Sequence, residues 1–245
     1  MKSKFLLLTE GVDKLGLKMP KDKLLLFKEY LGLLREWGNK FNLTAISDES
    51  EVLVKHFVDS LACATAFPVG RALSGLRIID IGSGAGFPGI PIKILEPSVN
   101  LTLLEASRKK GQFLKEVCQR LGLENVGTVH ARAEALAHDA AHRESYDVVL
   151  ARAVAPLIVL VEYSLGFLSK GGLLIAQKGP QAEQELRAAG KAIETLGGRV
   201  REVRTYKLEG LGVPLTRNLV VISKVGQTPA RYPRRSGIPL KRPIK

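Results

Sequence analysis

From Arg77 onward, short apolar runs alternate with stretches of helical periodicity. Runs at 77–81, 100–104, 126–130, 146–151, 171–177, 200–206 and 217–224 read as strands. Segments 88–95, 108–121, 132–141, 156–168 and 181–196 fit helices between them. Strands alternating with helices predict a parallel sheet covered on both faces. Between the last two strands there is no room for a helix. Val203 to Leu219 must therefore hold a tight return, and the final strand is antiparallel.

Before Arg77 the pattern is different. Leu24, Leu25, Phe27, Leu31, Leu34 and Trp37 form the apolar stripe of a helix lying on a core, ended by Gly38-Asn39. Residues 42–46 read as a connector. Ser47 or Asp48 can cap a helix over Glu49–Phe57, and a further helix is expected over Asp59–Phe67. No strand is evident here, so residues 1–75 are expected to form a helical region joined at Pro68–Gly75 to an α/β domain, 76–225. Residues 226–245 contain Pro229, Pro233, Pro239 and Pro243, and are expected to be an extended arm without regular helix or central strand.

Composition narrows the class. Hydrophobic content of 45% supports a sizeable core. No apolar run approaches the ~20 residues of a membrane span, and the apolar patch near the start is too short for a signal peptide. A cytoplasmic monomer is the expectation. Cys63 and Cys118 are far apart, and the four histidines form no ligand set with them, so no metal site is predicted. The net charge of +13 favours a polyanionic partner. Its distribution is uneven: residues 226–245 hold six Lys and Arg and no acid.

The most informative segment is Ile78–Pro91, IIDIGSGAGFPGIP. A buried strand carrying Asp80 runs into Gly82, Gly84 and Gly86, and a helix follows. Such a unit brings backbone close to a ligand and aims helix N–H groups at it. Gly82-x-Gly84-x-Gly86 is not the dinucleotide spacing, and Phe87 stands where that pattern needs its third glycine. With Asp80 two residues ahead, the segment resembles motif I of class I S-adenosylmethionine (SAM) methyltransferases. Glu105, ending the next apolar run, stands where an acid accepts hydrogen bonds from ribose hydroxyls. A nicotinamide site and a glycine turn without a cofactor are the alternatives.

In a parallel sheet, ligands sit beyond the carboxyl ends of the strands. Those ends carry Gly82–Phe87; Glu105, Ala106 and Ser107 with Arg108, Lys109 and Lys110; Arg132, Ala133 and Glu134; Ala151-Arg152-Ala153; and Gln177-Lys178-Gly179. Three basic clusters thus collect at the edge that holds the glycine loop.

Taken together, IIDIGSGAGFPGIP, Asn42-Leu43-Thr44-Ala45-Ile46, His56-Phe57-Val58-Asp59-Ser60-Leu61, Leu150-Ala151-Arg152-Ala153-Val154-Ala155, Gln177-Lys178-Gly179 and the Tyr232–Pro243 tail resemble the bacterial 16S ribosomal RNA guanine-N7 methyltransferase family RsmG, also called GidB. The resemblance runs from about Leu24 to the end. It implies a class I methyltransferase fold: a Rossmann-like, seven-stranded, mostly parallel sheet with helices on both faces and an N-terminal helical appendage. It implies SAM as cofactor and 16S ribosomal RNA, within the 30S subunit or a precursor, as partner, with a guanine in the decoding-region loop as target. It places Asp80, Gly82, Gly84, Gly86 and Phe87 on the cofactor, Glu105–Ser107 at the ribose, and Ala133 and Glu134 at the adenine. Arg152 falls near the methionine end or the reacting guanine.

Guanine N7 carries a free lone pair, so attack on a sulfonium methyl needs no general base. Positioning and electrostatics would carry the rate. Arg152 and Lys178 are the candidate catalytic residues, contacting guanine O6 or a flanking phosphate. Arg108, Lys109, Arg132, Lys178, Arg217, Arg234, Arg235, Lys241 and Arg242 are the candidate RNA contacts. His56 and Asp59 share a helix face; they either fix the N-terminal helices to the sheet edge or reach the RNA, and the first is favoured because N7 attack needs neither. A methyltransferase for another substrate and a non-catalytic RNA-binding factor are the rival readings.

Overall fold

The computed structural model describes residues 4–38, 43, 48–67, 73–212 and 215–245. Seven strands form one sheet in the order β3-β2-β1-β4-β5-β7-β6. They are β1 Arg77–Ile81, β2 Asn100–Glu105, β3 Val126–His130, β4 Tyr146–Arg152, β5 Leu168–Lys178, β6 Gly198–Leu208 and β7 Leu215–Lys224. β1 to β5 are parallel, and β7 runs antiparallel to both β5 and β6. The tight return predicted before the last strand is therefore present.

Alternation along the central strands sends side chains to two apolar layers. Ile78, Leu101, Leu103, Val148, Leu150, Ile175 and Val221 enter one. Ile79, Ile81, Leu104, Val149, Leu174, Val220 and Ile222 enter the other. Strands buried on both faces must read as continuous apolar runs, which is why β1 is so legible. The second layer is covered by α7 Ala133–Leu136, α8 Leu157–Ser164 and α9 Ala182–Thr195. The first is covered by α5 Gly89–Leu95, α6 Arg108–Arg120 and the N-terminal helices α1 Leu6–Lys14 and α2 Lys21–Gly38. Leu8, Phe27, Leu31 and Phe57 share one core with Ile78 and Leu101.

Three expectations change. The helices expected over 49–57 and 59–67 are one continuous helical run, 49–66. Asp48 caps it by accepting from Glu51 N at 2.9 Å. It starts as α3 Glu49–Val52, widens to π turns over Leu53–Val58, returns to α4 Asp59–Leu61 and tightens to a 3-10 turn over Ala62–Ala66. The helix expected over 132–141 stops at Leu136, because the Asp139 carboxylate accepts from Ala141 N at 2.8 Å and fixes a turn. The connector 42–46, Leu43 apart, and residues 68–72 of the junction lie outside the described residues.

The third change concerns the C-terminal segment, which is docked rather than extended. Arg143 Nη1 donates to Tyr232 O at 3.0 Å, and its Nη2 donates to Thr228 O at 2.7 Å. A short helix, α10 Ile238–Lys241, forms despite Pro239, which sits in the first turn, where the missing N–H costs nothing. Carbonyls along the segment, unpaired in an isolated arm, thus gain a guanidinium partner.

Candidate active site

The loop after β1 is built for close approach. Gly82 has φ +67°, and a Cβ there would lie 3.0 Å from Val154 Cγ2. Gly86, at φ +95°, has no room for a Cβ against Ile90 and the Tyr30 hydroxyl. Asp80 is fully buried under this loop. Its Oδ2 accepts from Gly89 N at 3.0 Å, whereas Oδ1 has no partner. Burial pushes the Asp80 carboxyl up to about 7 against the opposing hydrogen bond from Gly89.

Glu105 ties the end of β2 to the loop. Its Oε2 accepts from Gly84 N at 2.8 Å and its Oε1 from Ser107 N at 2.7 Å. Beside it opens a cavity of about 320 Å³, within the range of small-ligand sites. Gly82, Ala106, Ala133 and Glu134, four of the expected cofactor contacts, line it together. So do Val154, Tyr163 and Leu240, which sequence reasoning missed. The signal for Val154 was present in its place after β4; nothing local marked Leu240. Asp80, Gly84, Gly86, Phe87, Glu105 and Ser107 line neither this cavity nor the next. Phe87 packs against the N-terminal helices. Its ring stacks on His56 with centroids 4.7 Å apart and lies 5.7 Å from Tyr30.

A second cavity, of about 640 Å³, shares the wall Val154–Pro156 with the first. Ala153 at this wall holds φ +54°, a left-handed conformation that a non-glycine residue adopts only under constraint. Asp59, Arg152, Gln177, Lys178, Glu185 and Arg217 line the cavity. Arg152 donates to Lys55 O at 2.8 Å and its Nη2 lies 2.7 Å from His56 Nδ1. It also faces Asp59, 3.4 Å from Nη1 to Oδ2. Burial first, and then the Arg152 charge, holds His56 down at about 4, so the imidazole is neutral. Burial raises the Asp59 carboxyl, although Arg152 and a hydrogen bond from the Tyr206 hydroxyl oppose this.

The basic candidates separate into two groups. Lys178 is not a free cation: it is buried, and Nζ donates to Ala155 O at 2.6 Å and to Glu185 Oε2 at 2.8 Å. Arg234 is held in a two-pronged pair by Glu162, at 2.9 Å from Nε and 2.7 Å from Nη2. Arg217 is half-buried, 3.9 Å from Asp59 Oδ1. Arg108, Lys109, Arg132, Arg235, Lys241 and Arg242 are exposed. Among the described residues, no cluster of His, Cys, Asp and Glu is arranged to hold a metal ion, and no helix is long and apolar enough to cross a membrane.

Residues 23–219 match the family model GidB, rRNA small subunit methyltransferase G. The chain is 46% identical over 245 residues to "Ribosomal RNA small subunit methyltransferase G" of Alkaliphilus metalliredigens, covering 100% of both chains. It is 48% identical over 235 residues to the protein of the same name from Pelotomaculum thermopropionicum, covering 96% of each. The fold is similar to that of M. jannaschii TYW2 solved in complex with AdoMet, with a TM-score of 0.51 at 14% identity, over 74% of this chain and 77% of that one. A nucleoside-sized cavity beside a glycine loop, on a class I methyltransferase sheet, agrees with that assignment. The chain belongs to the rRNA small subunit methyltransferase G (GidB) family and is a SAM-dependent ribosomal RNA methyltransferase.

Proposed function

We propose that this chain methylates N7 of a guanine in the decoding-region loop of 16S ribosomal RNA, acting as a monomer on the 30S subunit or a precursor. The observation that carries the reading is the pair of cavities meeting at Val154–Pro156, one lined for a nucleoside and one lined by Arg152, Lys178 and Arg217.

The lining of the first cavity fits SAM. Beneath the glycine loop, outside that lining, Asp80 Oδ1 is a buried acceptor without a partner, suited to a cationic donor. Ala106, Ala133 and Glu134 border a space for adenosine, and the Glu105 carboxylate, held by Gly84 N and Ser107 N, fixes the glycine loop beside it. When bound, SAM supplies an electrophilic methyl on a sulfonium, taken by the N7 lone pair with S-adenosylhomocysteine leaving. No proton moves in that transfer, which agrees with a neutral His56 and with Lys178 committed to Glu185.

The chain contributes position and charge. Lys178 holds the wall between the cavities at Ala155 O, Arg152 ties the second cavity to the helical run 49–66, and Arg217 offers a cation to guanine O6 or a phosphate. The methylated base becomes cationic, in a cavity whose lining cations Arg152 and Lys178 are already paired with Asp59 and Glu185. Methyl transfer compared on free 16S RNA, isolated 30S subunits and precursor particles tests the substrate. Turnover on the particles and little on free RNA is expected; equal turnover on all three contradicts a particle substrate.

A further inference from the structure

The segment after β7 is held to the α/β domain by several independent contacts. Glu162 on α8 is a buried carboxylate, and its hydrogen bonds go to Arg234: to the backbone N at 2.8 Å and to the guanidinium through both oxygens. Removing water from a carboxylate is costly unless it is matched, so this pair fixes the backbone at 234. Three residues later Gly237 N donates to Glu134 Oε1 at 3.1 Å, on the edge of the nucleoside-sized cavity. His138 Nε2 meets Pro233 O at 2.7 Å, and Pro239 is buried. These anchors carry α10 to the cavity mouth, where Leu240 forms part of the wall although its side chain is 60% exposed.

We propose that residues 234–242 form a cofactor-binding element, in which Leu240 covers a face of the bound adenine and Glu162 and Glu134 position it. This rests on the reading of that cavity as the adenosine site. An adenine ring has two apolar faces, and a leucine left exposed on a cavity wall gains burial when the ring enters. Val154 and Ala133 supply apolar surface to the same cavity. The segment therefore does more than carry charge toward RNA: its inner side contacts the cofactor, while Arg235, Lys241 and Arg242 remain exposed.

The test is calorimetric binding of S-adenosylhomocysteine to the full chain, with melting temperature as the fold control. Leu240→Ala and Leu240→Glu should weaken binding about tenfold or more, the scale of one partly covered leucine, without lowering the melting temperature. Ala106→Trp, at an exposed position on the same cavity, should abolish binding. Normal binding by both Leu240 variants with loss in Ala106→Trp overturns the role of the segment and leaves the site in place. Normal binding by Ala106→Trp overturns the site itself, and the inference with it.

Discussion

The Arg152 guanidinium and the Asp59 carboxylate face each other across 3.4 Å, where the helical run 49–66 meets the end of β4. Asp59 is 1% exposed, so Arg152 is the nearest compensation for a charge removed from water. Arg152→Ala leaves that carboxylate with Arg217 at 3.9 Å and the Tyr206 hydroxyl. Breaking a buried pair by removing one partner costs about 3–5 kcal/mol, and urea unfolding should show a loss at the lower end of that range. Turnover should fall more than SAM affinity, because Arg152 lines the second cavity and not the first. Equal loss of both would move Arg152 into the cofactor site.

Asp80 gives a pH signature. An unfolded aspartate loses its proton near 4, whereas burial keeps it on folded Asp80 to about 7. Between those values the folded protein binds more protons, so this group makes stability fall as pH rises. Asp80→Asn should remove that slope and stabilise the cofactor-free protein at pH 8 by on the order of 2–4 kcal/mol. It should also weaken SAM, whose cationic group loses a carboxylate partner. Wild-type affinity for SAM should increase from pH 6 to pH 8 as Asp80 ionises, which titration calorimetry at both values reads directly.

His56 acts in the opposite direction. Unfolded, it takes a proton near 6.5; folded, it stays neutral down to about 4. Its contribution to stability is complete above about pH 6.5 and is lost as pH falls toward 4. The windows of His56 and Asp80 overlap with opposite signs, so they partly cancel in the wild type. His56→Gln should expose the Asp80 slope: its unfolding midpoint should fall more from pH 5 to pH 7 than that of the wild type.

The sheet and the glycine loop were legible because their causes are local. Ile78, Ile79 and Ile81 must be apolar in a strand buried on both faces, and Gly82 and Gly86 take backbone angles that other residues avoid. The docking of the C-terminal segment was not legible. Its partners Glu162, Arg143 and Glu134 lie 72 to 103 positions away, and nothing near Arg234 announces a buried carboxylate. The pairing of Lys178, a candidate catalytic and RNA contact, with Glu185 was not legible, because it depends on the turn between β5 and α9. The neighbours of Phe87 were not legible either, because the N-terminal helices bring Tyr30, His56 and Phe57 against its ring from 30 or more positions away.

The salt dependence of RNA binding follows from which tail cations are committed. Arg234 is paired with Glu162, leaving Arg231, Arg235, Lys241, Arg242 and Lys245 exposed. Each phosphate neutralised on a single strand adds roughly −0.7 to the slope of log affinity against log salt. Replacing Arg235, Lys241 and Arg242 by alanine should therefore make the slope shallower by about 2, while Arg234→Ala alone should leave it nearly unchanged. An unchanged slope in the triple variant would remove the tail from the RNA interface.

The most direct measurement is the position of the transferred methyl group. The protein is incubated with labelled SAM and 30S subunits from cells lacking the enzyme, and the modified nucleotide is mapped. The account predicts label on N7 of one guanine in the decoding-region loop of 16S RNA. Label on an exocyclic amine, or no label at all, would contradict it.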